Sequence, residues 1–500
     1  MRVFGRENMI LRPYQQKLYT GIHHEWDIGN RNVIAVAQTG SGKSVIISEV
    51  IKNHPGMCAV MAHTSELIHQ LSLLLAHRKI YHRIIAPQHV IKNICQMHVT
   101  EYGKCWYDPN AAVFVISAPT MVRRLASLRE LCQQVTLWIC DETQHLLRAP
   151  GMWGKCVDAF PNAKGLGVTA TPERSDGKGL GRHADGVYDS MIEGPTVRDL
   201  INEGHLSDYI MYAPVGIDTS DVNVTGGGDF NQLQLAERSD QSTIVGDVVA
   251  EYQRLAPGKQ GITFAVNVKN AGDITAAFNL AGVSAALITA KTPAGERFNI
   301  MREFRAGKYL QLVNVATMTE GVDVPQVGVV SLARPTMSLG LFLQMIGRVL
   351  RPSGDPAIII DHGGNLVRHG APDEIRTWSL NRRGRKSNSP DDVTLISVCP
   401  ACSGAYERML GRTCPYCGHF SEPVDRVLPE NVEGELSLLT PEALDKLRAD
   451  IAQANRTPDE VFQDMQAMNM SDVICNTNRK RQTELLELRK RSEEHLQLHC

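Results

Sequence analysis

Short apolar runs alternate with stretches of helical periodicity through the first two-thirds of the chain. Residues 33–37, 58–62, 113–117, 137–140 and 165–168 are rich in aliphatic residues, as expected of strands buried on both faces. Each is followed by a turn or a helix-like stretch, the pattern of βαβ units on a parallel sheet. A second set spans residues 261–265, 284–288, 311–315, 327–332 and 357–361. The two sets predict an α/β protein with two parallel-sheet lobes in tandem. Residues 218–240, polar and rich in glycine, read as a loop or inserted connection. After residue 361 the alternation ends. A basic stretch, RTWSLNRRGRK, leads through a polar link to a cysteine cluster, and residues 430–500 have helical spacing without strand alternation. The expected boundaries are lobe 1 at 1–205, lobe 2 with its entry segment at 206–370, a basic and polar linker at 371–394, a four-cysteine module at 395–425 and a helical tail at 426–500.

With 500 residues, 43% hydrophobic and 21% charged, the chain has the composition of a soluble globular protein of several domains. No run approaches the roughly 18 apolar residues of a membrane span. The N-terminus lacks the apolar segment of a signal peptide. A cytoplasmic protein is expected, in a bacterium or, for a phage-encoded chain, in its host. The net charge of −2 does not decide for or against a nucleic-acid partner, because a local groove is enough to follow a backbone.

Three segments carry chemistry in the first half. AQTGSGKS, residues 37–44, follows a predicted strand and opens a helix-like stretch. Such a turn aims backbone N–H groups at phosphate oxygens. Gly40 and Gly42 permit the turn, Lys43 would reach the β- and γ-phosphates, and Ser44 would ligate Mg²⁺. Ala37 stands where the general pattern has its first glycine, so alone the segment also reads as a glycine-rich loop with an exposed lysine. DETQH, residues 141–145, ends another strand. Asp141 would hold Mg²⁺ and Glu142 would orient the attacking water. Two acids starting a helix are the bland alternative. TATP, residues 169–172, is a small polar turn closed by proline.

Four of the twelve cysteines form two C-x-x-C knuckles, Cys399/Cys402 and Cys414/Cys417, with 11 residues between them. Four thiolates at this spacing can close a tetrahedral, structural Zn²⁺ site. Arg382, Arg383, Arg385 and Lys386 just before them suit phosphate contacts, and suit a solvated linker equally. In the tail, Arg479–Arg481 and Arg489–Arg491 are interleaved with glutamates, which favours a salt-bridged helix over a nucleic-acid clamp.

In this order and spacing, AQTGSGKS, DETQH and TATP resemble motifs I, II and III of the superfamily 2 helicases. The second half supplies matches to motif V (NVATMTEGVDVP, 314–325) and motif VI (QMIGRVLR, 344–351). LRPYQ at 11–15 resembles the adenine-reading Q motif, with Gln15 as its contact. VMAHTSELIHQ and residues 117–121 resemble motifs Ia and Ib. The resemblance implies two RecA-like lobes that bind ATP and Mg²⁺ between them. Thr39, Gly40, Ser41, Gly42, Lys43 and Ser44 would cradle the phosphates. Gly321 and Asp323 would line the nucleotide, Asp323 at the ribose. Arg348 and Arg351 would complete the γ-phosphate site from the opposite lobe. Gln344 and His145 would meet across the cleft, and Thr169 and Thr171 would couple its state to the nucleic acid. Arg174 and Lys178, in ERSDGKGLG after motif III, would lie near the mouth of the cleft and contact nucleic acid.

Within the superfamily the likeness is closest to RadD-type helicases of bacterial DNA repair. It rests on TATPERSDGKGLG, ALITAKTPAGER, LARPTMSLGLFLQMIGRVLRP, IIIDHGGN and the zinc-type cysteines. It implies a DNA helicase or translocase acting in repair, recombination or replication on single-stranded or forked DNA. A single-strand-binding protein or recombinase is the expected protein partner. An RNA helicase, or a translocating subunit of a nuclease or recombination complex, remains open.

Overall fold

A computed structural model describes residues 11–421, apart from 149, 215–218, 220, 226–227, 242–243, 316–326, 353, 383–395 and 408–409. The chain divides after Glu422, and all elements below belong to the first unit. The predicted helical tail, motif V residues Gly321 and Asp323, and Arg383, Arg385 and Lys386 lie outside the described residues.

Lobe 1 is a parallel sheet of β1 (Asn32–Val36), β2 (Met57–Ala62), β3 (Arg83–Ile85), β4 (Val113–Ser117), β5 (Val135–Asp141), β6 (Lys164–Thr169) and β7 (Ser190–Glu193). Their order across the sheet is β3-β4-β2-β5-β6-β1-β7. The unbroken apolar runs follow from burial on both faces. Val33 and Ala35 join one hydrophobic cluster with Leu18, Ile46 and Leu67, while Ile34 and Val36 join another with Trp138, Trp153 and Tyr188. Among the helices that pack on it are α1 (Pro13–Asp27), α2 (Lys43–Asn53) and α3 (Ser65–His77).

Lobe 2 contains β8 (Tyr209–Tyr212), β9 (Gly261–Phe264), β10 (Ala285–Ile288), β11 (Gln311–Asn314), β12 (Val329–Leu332) and β13 (Ala357–Asp361), all parallel in the order β10-β11-β9-β12-β13-β8. The polar segment read as a loop includes a helix, Gln232–Gln241. The side-chain oxygen of Asn231 caps it by accepting from the Leu233 and Gln234 N–H groups, and Leu235 anchors it in the core. One fixed apolar residue is too little for periodicity to reveal.

The cysteine knuckles are built into lobe 2. Strands β14 (Ile396–Val398) and β15 (Gly404–Glu407) form an antiparallel hairpin, and β15 pairs antiparallel with β8. The lobe 2 sheet therefore runs to eight strands. Before that hairpin the chain returns to lobe 1. Trp378 and Leu380 pack on its core, the Gly181 N–H donates to the Leu380 carbonyl at 2.8 Å, and Arg382 forks onto Asp185 at 2.7 and 2.8 Å. The Arg376 guanidinium donates to the carbonyls of His369, Ala371, Pro372 and Glu374, which holds residues 369–376 in shape.

Candidate active site

The turn expected to bind phosphate forms at the C-terminal end of β1. Gly40 and Gly42 sit at φ +87° and +86°, where a side chain is strained. Ser41 bridges the turn by donating from Oγ to the Gln38 carbonyl at 2.7 Å. Helix α1 braces it from behind. Tyr14 Oη and Gln15 Nε2 both donate to the Ser41 carbonyl, at 2.7 and 3.0 Å. Gln15 Oε1 in turn accepts from the Arg12 N–H at 3.0 Å. The Gln15 amide nitrogen thus holds the turn while its oxygen closes the N-terminus of α1. A Cβ at Gly42 would lie 2.7 Å from Gln15 Nε2, so this glycine also makes room for the brace. Ser44 is exposed in the first turn of α2.

Strand β5 delivers Asp141 and Glu142 beside that turn. Glu142 adopts φ +52°, a left-handed conformation uncommon for a residue with a side chain, with its N–H bonded to Asp141 Oδ1 at 3.0 Å. This turns its carboxylate toward the phosphate turn, where Oε1 accepts from Lys43 Nζ at 2.8 Å. Burial works against both charges, but each is the other's counter-ion. The net result holds Glu142 below the usual carboxylate range and Lys43 above the usual amine value.

The second carboxylate oxygen collects two amide donors. Gln144 Nε2 reaches Glu142 Oε2 at 3.1 Å, and Gln344 Nε2 of lobe 2 reaches it at 3.4 Å. Gln344 therefore meets Glu142 across the cleft. The His145 ring lies tilted against the His63 ring of motif Ia, their centroids 5.3 Å apart. Thr169 Oγ1 donates to Gln144 Oε1 at 2.6 Å and accepts from the Thr171 N–H at 3.0 Å. Arg174 faces inward, with Nη1 on the Gln144 carbonyl at 2.7 Å and a salt bridge to Asp176 at 2.6 Å, while Lys178 is exposed. Arg348 is 9% exposed and its charge acts on both Lys43 and Glu142, so lobe 2 brings a cation to the site. Arg351 is half-buried, its carbonyl accepting from Ser207 Oγ at 3.1 Å. The lobes also meet through Thr39 against Gly347, and through an ion pair between Arg297 and Glu66.

Sequence reasoning missed Tyr14, Gln144, Gly347 and the Arg297–Glu66 pair. Gln144 occupies a position that the motif leaves open, and the rest act through partners far away in the chain.

The sulfurs of Cys399, Cys402, Cys414 and Cys417 all lie within 4.8 Å of one another, with Cys399–Cys417 at 3.6 Å and Cys402–Cys414 at 3.7 Å. A zinc–sulfur bond of about 2.3 Å gives a tetrahedral edge of about 3.8 Å, so the set has the dimensions of a zinc site. Burial raises the Cys399 thiol, but the Ala401 and Cys402 N–H groups more than offset this and bring it to about 7. The Gly404 N–H points at Cys402 Sγ at 3.4 Å.

The family model described as the res subunit of type III restriction enzymes matches residues 8–174, and that of the helicase conserved C-terminal domain matches residues 244–353. A 51.5 kDa protein of Lactococcus phage isolate 7-9 is 33% identical over 408 residues, 81% of this chain and 81% of its own length. The chain belongs to the superfamily 2 helicases. This helicase is an ATP-hydrolysing enzyme. It is 27% identical over 378 residues to the provisionally named ATP-dependent helicase IRC3 of Saccharomyces cerevisiae, a match covering 71% of this chain and 52% of that protein. With the DNA 3′-5′ translocase XPB2 of Sulfurisphaera tokodaii it shares 26% identity over 303 residues, 51% of this chain and 63% of the relative. The helicase thus spans between half and two-thirds of these two relatives. Among solved structures, a fragment provisionally described as the HsdR subunit of a Vibrio vulnificus type I restriction enzyme superposes with a TM-score of 0.52 at 17% identity, over 72% of this chain and 66% of that one, and shares the two-lobed fold. Among the described residues, no helix is long and apolar enough to cross a membrane.

Proposed function

We propose that the protein is a DNA-stimulated ATPase that moves on or remodels DNA, single-stranded or forked. The observation that carries this reading is the shared site: Lys43 and Glu142 of lobe 1 are paired, and Gln344 and Arg348 of lobe 2 reach the same charges. Phosphoryl transfer requires positioning and charge compensation more than covalent chemistry. Incoming phosphates would draw Lys43 away from Glu142, freeing that carboxylate to orient water. Ser44 and Asp141 would hold Mg²⁺, which supplies charge neutralisation at the phosphates. The glycine turn, whose backbone approaches without side chains, suits that load. Arg348 and Arg351 would compensate the γ-phosphate charge only with the lobes together, which ties hydrolysis to closure. Gln15 would read adenine by the resemblance, and Thr169, Thr171 and His145 would transmit the state of the cleft. A structural Zn²⁺ in the four-cysteine cluster is part of the same reading.

DNA is favoured over RNA by the name of the XPB2 relative and by the likeness to RadD-type repair helicases. The match to a restriction-enzyme res subunit supports a second reading, a translocating subunit of a larger complex. Lys178 remains a candidate nucleic-acid contact, as does Arg174 if it leaves Gln144. Replacing both by alanine should weaken DNA binding and flatten its salt dependence. The deciding experiment is ATP hydrolysis by the purified protein, alone and with single-stranded, duplex and forked DNA and with RNA, using Lys43→Ala as the blank. Stimulation by DNA and not by RNA is expected. Equal or greater stimulation by RNA would overturn the DNA reading, and no turnover under any condition would overturn the proposal that this chain acts alone.

A further inference from the structure

Gln144 is one of the two positions, with Thr143, that the D-E-x-x-H pattern of motif II leaves open. Its side chain is nonetheless held at both ends of the amide. It is 8% exposed, and every polar atom of its amide is used. The hydrogen bonds have one direction. The Thr171 N–H donates to Thr169 Oγ1 at 3.0 Å, and the Thr169 hydroxyl donates to Gln144 Oε1 at 2.6 Å. The ionised Glu142 carboxylate can only accept, and this fixes which end of the amide faces it. Nε2 must then face Glu142 Oε2, 3.1 Å away, as a donor. Arg174 Nη1 holds the Gln144 backbone carbonyl at 2.7 Å, and Asp176 holds Arg174. The chain of donors runs from motif III to the carboxylate, and bonds in such chains strengthen one another.

We propose that Gln144 is the positioning residue through which motif III sets the orientation of Glu142 for water activation. This rests on the reading of Glu142 as the group that orients water. Glu142 has three donors: Lys43 on one oxygen, Gln144 and Gln344 on the other. Lys43 is the donor that substrate phosphates would take, and Gln344 leaves whenever the lobes part. Gln144 alone among these three belongs to the same strand-and-turn unit as Glu142 and is independent of both events. It keeps the carboxylate aimed while the other two come and go. Its hydrogen bond also contributes to holding Glu142 ionised.

The test uses the full chain and four variants: Glu142→Gln, Gln144→Met, Gln144→Asn and Thr169→Val combined with Gln144→Met. Gln144→Met keeps length and removes both hydrogen bonds. It should lower kcat by about ten- to a hundredfold, the weight of one hydrogen bond to a charged group, with KM for ATP nearly unchanged. The acid limb of the kcat–pH profile should move to higher pH, because Glu142 loses a donor. Gln144→Asn, with a shorter amide, should recover part of the rate. Adding Thr169→Val to Gln144→Met should leave the acid limb where Gln144→Met alone puts it, since the Thr169 hydroxyl reaches Glu142 only through Gln144. If Glu142→Gln turns over normally, the reading of Glu142 itself fails. If Glu142→Gln is inactive but Gln144→Met keeps its kcat and an unmoved acid limb, only this proposal fails. A Gln144→Met rate loss fully explained by a lower folded fraction in thermal melts, with Gln144→Asn giving no recovery, would likewise overturn it and reduce Gln144 to a packing residue.

Discussion

The backbone of Gly347 lies directly against the side chain of Thr39. A Cβ added at Gly347 would sit 2.2 Å from Thr39 Cγ2, well inside any tolerable contact. Thr39 belongs to the phosphate turn of lobe 1 and Gly347 to the arginine-bearing segment of lobe 2. Glycine at this position is therefore what lets Arg348 approach Lys43 and Glu142. Gly347→Ala should prop the lobes apart without unfolding either. We expect kcat for ATP to fall on the order of 100-fold, the cost of misplacing reacting groups by about an ångström, while nucleotide binding to lobe 1 changes little. Steady-state hydrolysis and nucleotide-binding titrations check this. Thr39→Gly in the same chain should restore part of the rate by removing the clashing atoms, and an additive double mutant would refute the steric account.

Lys43 and Glu142 form a buried pair, with side chains 12% and 9% exposed. Removing one partner strands the other charge, at a cost on the order of 3 kcal/mol. Lys43→Ala and Glu142→Gln should each abolish hydrolysis. Lys43→Ala should also lower stability in urea, and adding Glu142→Gln should return most of that stability without returning activity. A double variant no more stable than Lys43→Ala would mean that solvent in the cleft already screens the pair.

The lobes were legible because their strands are buried on both faces, so that runs such as residues 33–37 have no polar interruption. The motifs located Lys43, Asp141, Glu142, Gln344 and Arg348, and the fold brings these together. The motif pattern does not tell which partner a residue takes. Gln344 was expected opposite His145 and lies on Glu142 Oε2. Arg174 was expected at the mouth of the cleft and donates inward to Gln144. Each outcome depends on side-chain reach within a folded turn, which spacing along the chain does not encode. Strands β14 and β15 were invisible for another reason. They are short and lie at the edge of the sheet, so they need little apolar sequence.

The cysteine cluster should bind one zinc ion per chain, because four sulfurs with tetrahedral dimensions leave no open position. Elemental analysis of the purified protein checks the stoichiometry. Cys399→Ser or Cys414→Ser should lose the metal. Since β15 pairs with β8, the damage should reach lobe 2 as a lower melting temperature, and a strong chelator should reproduce it. A metal-free protein with an unchanged melting temperature would show that the hairpin holds without zinc.

Acid should weaken lobe 1 selectively. Burial lowers His23, His54, His69, His82 and His98 from their ordinary value, and His82, wedged between Ser72 and the Ile80 carbonyl, falls to about 4. A histidine held neutral in the folded state favours unfolding once the pH drops below the unfolded value of 6.5, because the unfolded chain then binds the extra proton. The loss grows until the pH reaches about 4. For His82 alone it should be about 2 kcal/mol on going from pH 7 to pH 5. In lobe 2 the corresponding residue, His362, also falls to about 4, but its neighbour Asp361 is pushed up to about 6 by burial. A buried acid with a raised value binds its proton first in the folded state, so it gains stability over the same window and offsets His362. The measurement is urea unfolding followed by tryptophan fluorescence, since Trp26, Trp106, Trp138 and Trp153 lie in lobe 1 and Trp378 packs on it. The midpoint should fall between pH 7 and pH 5, and His82→Gln should make that fall shallower. Equal midpoints in the wild-type protein, or a slope that His82→Gln leaves unchanged, would remove His82 as the acid-sensitive group.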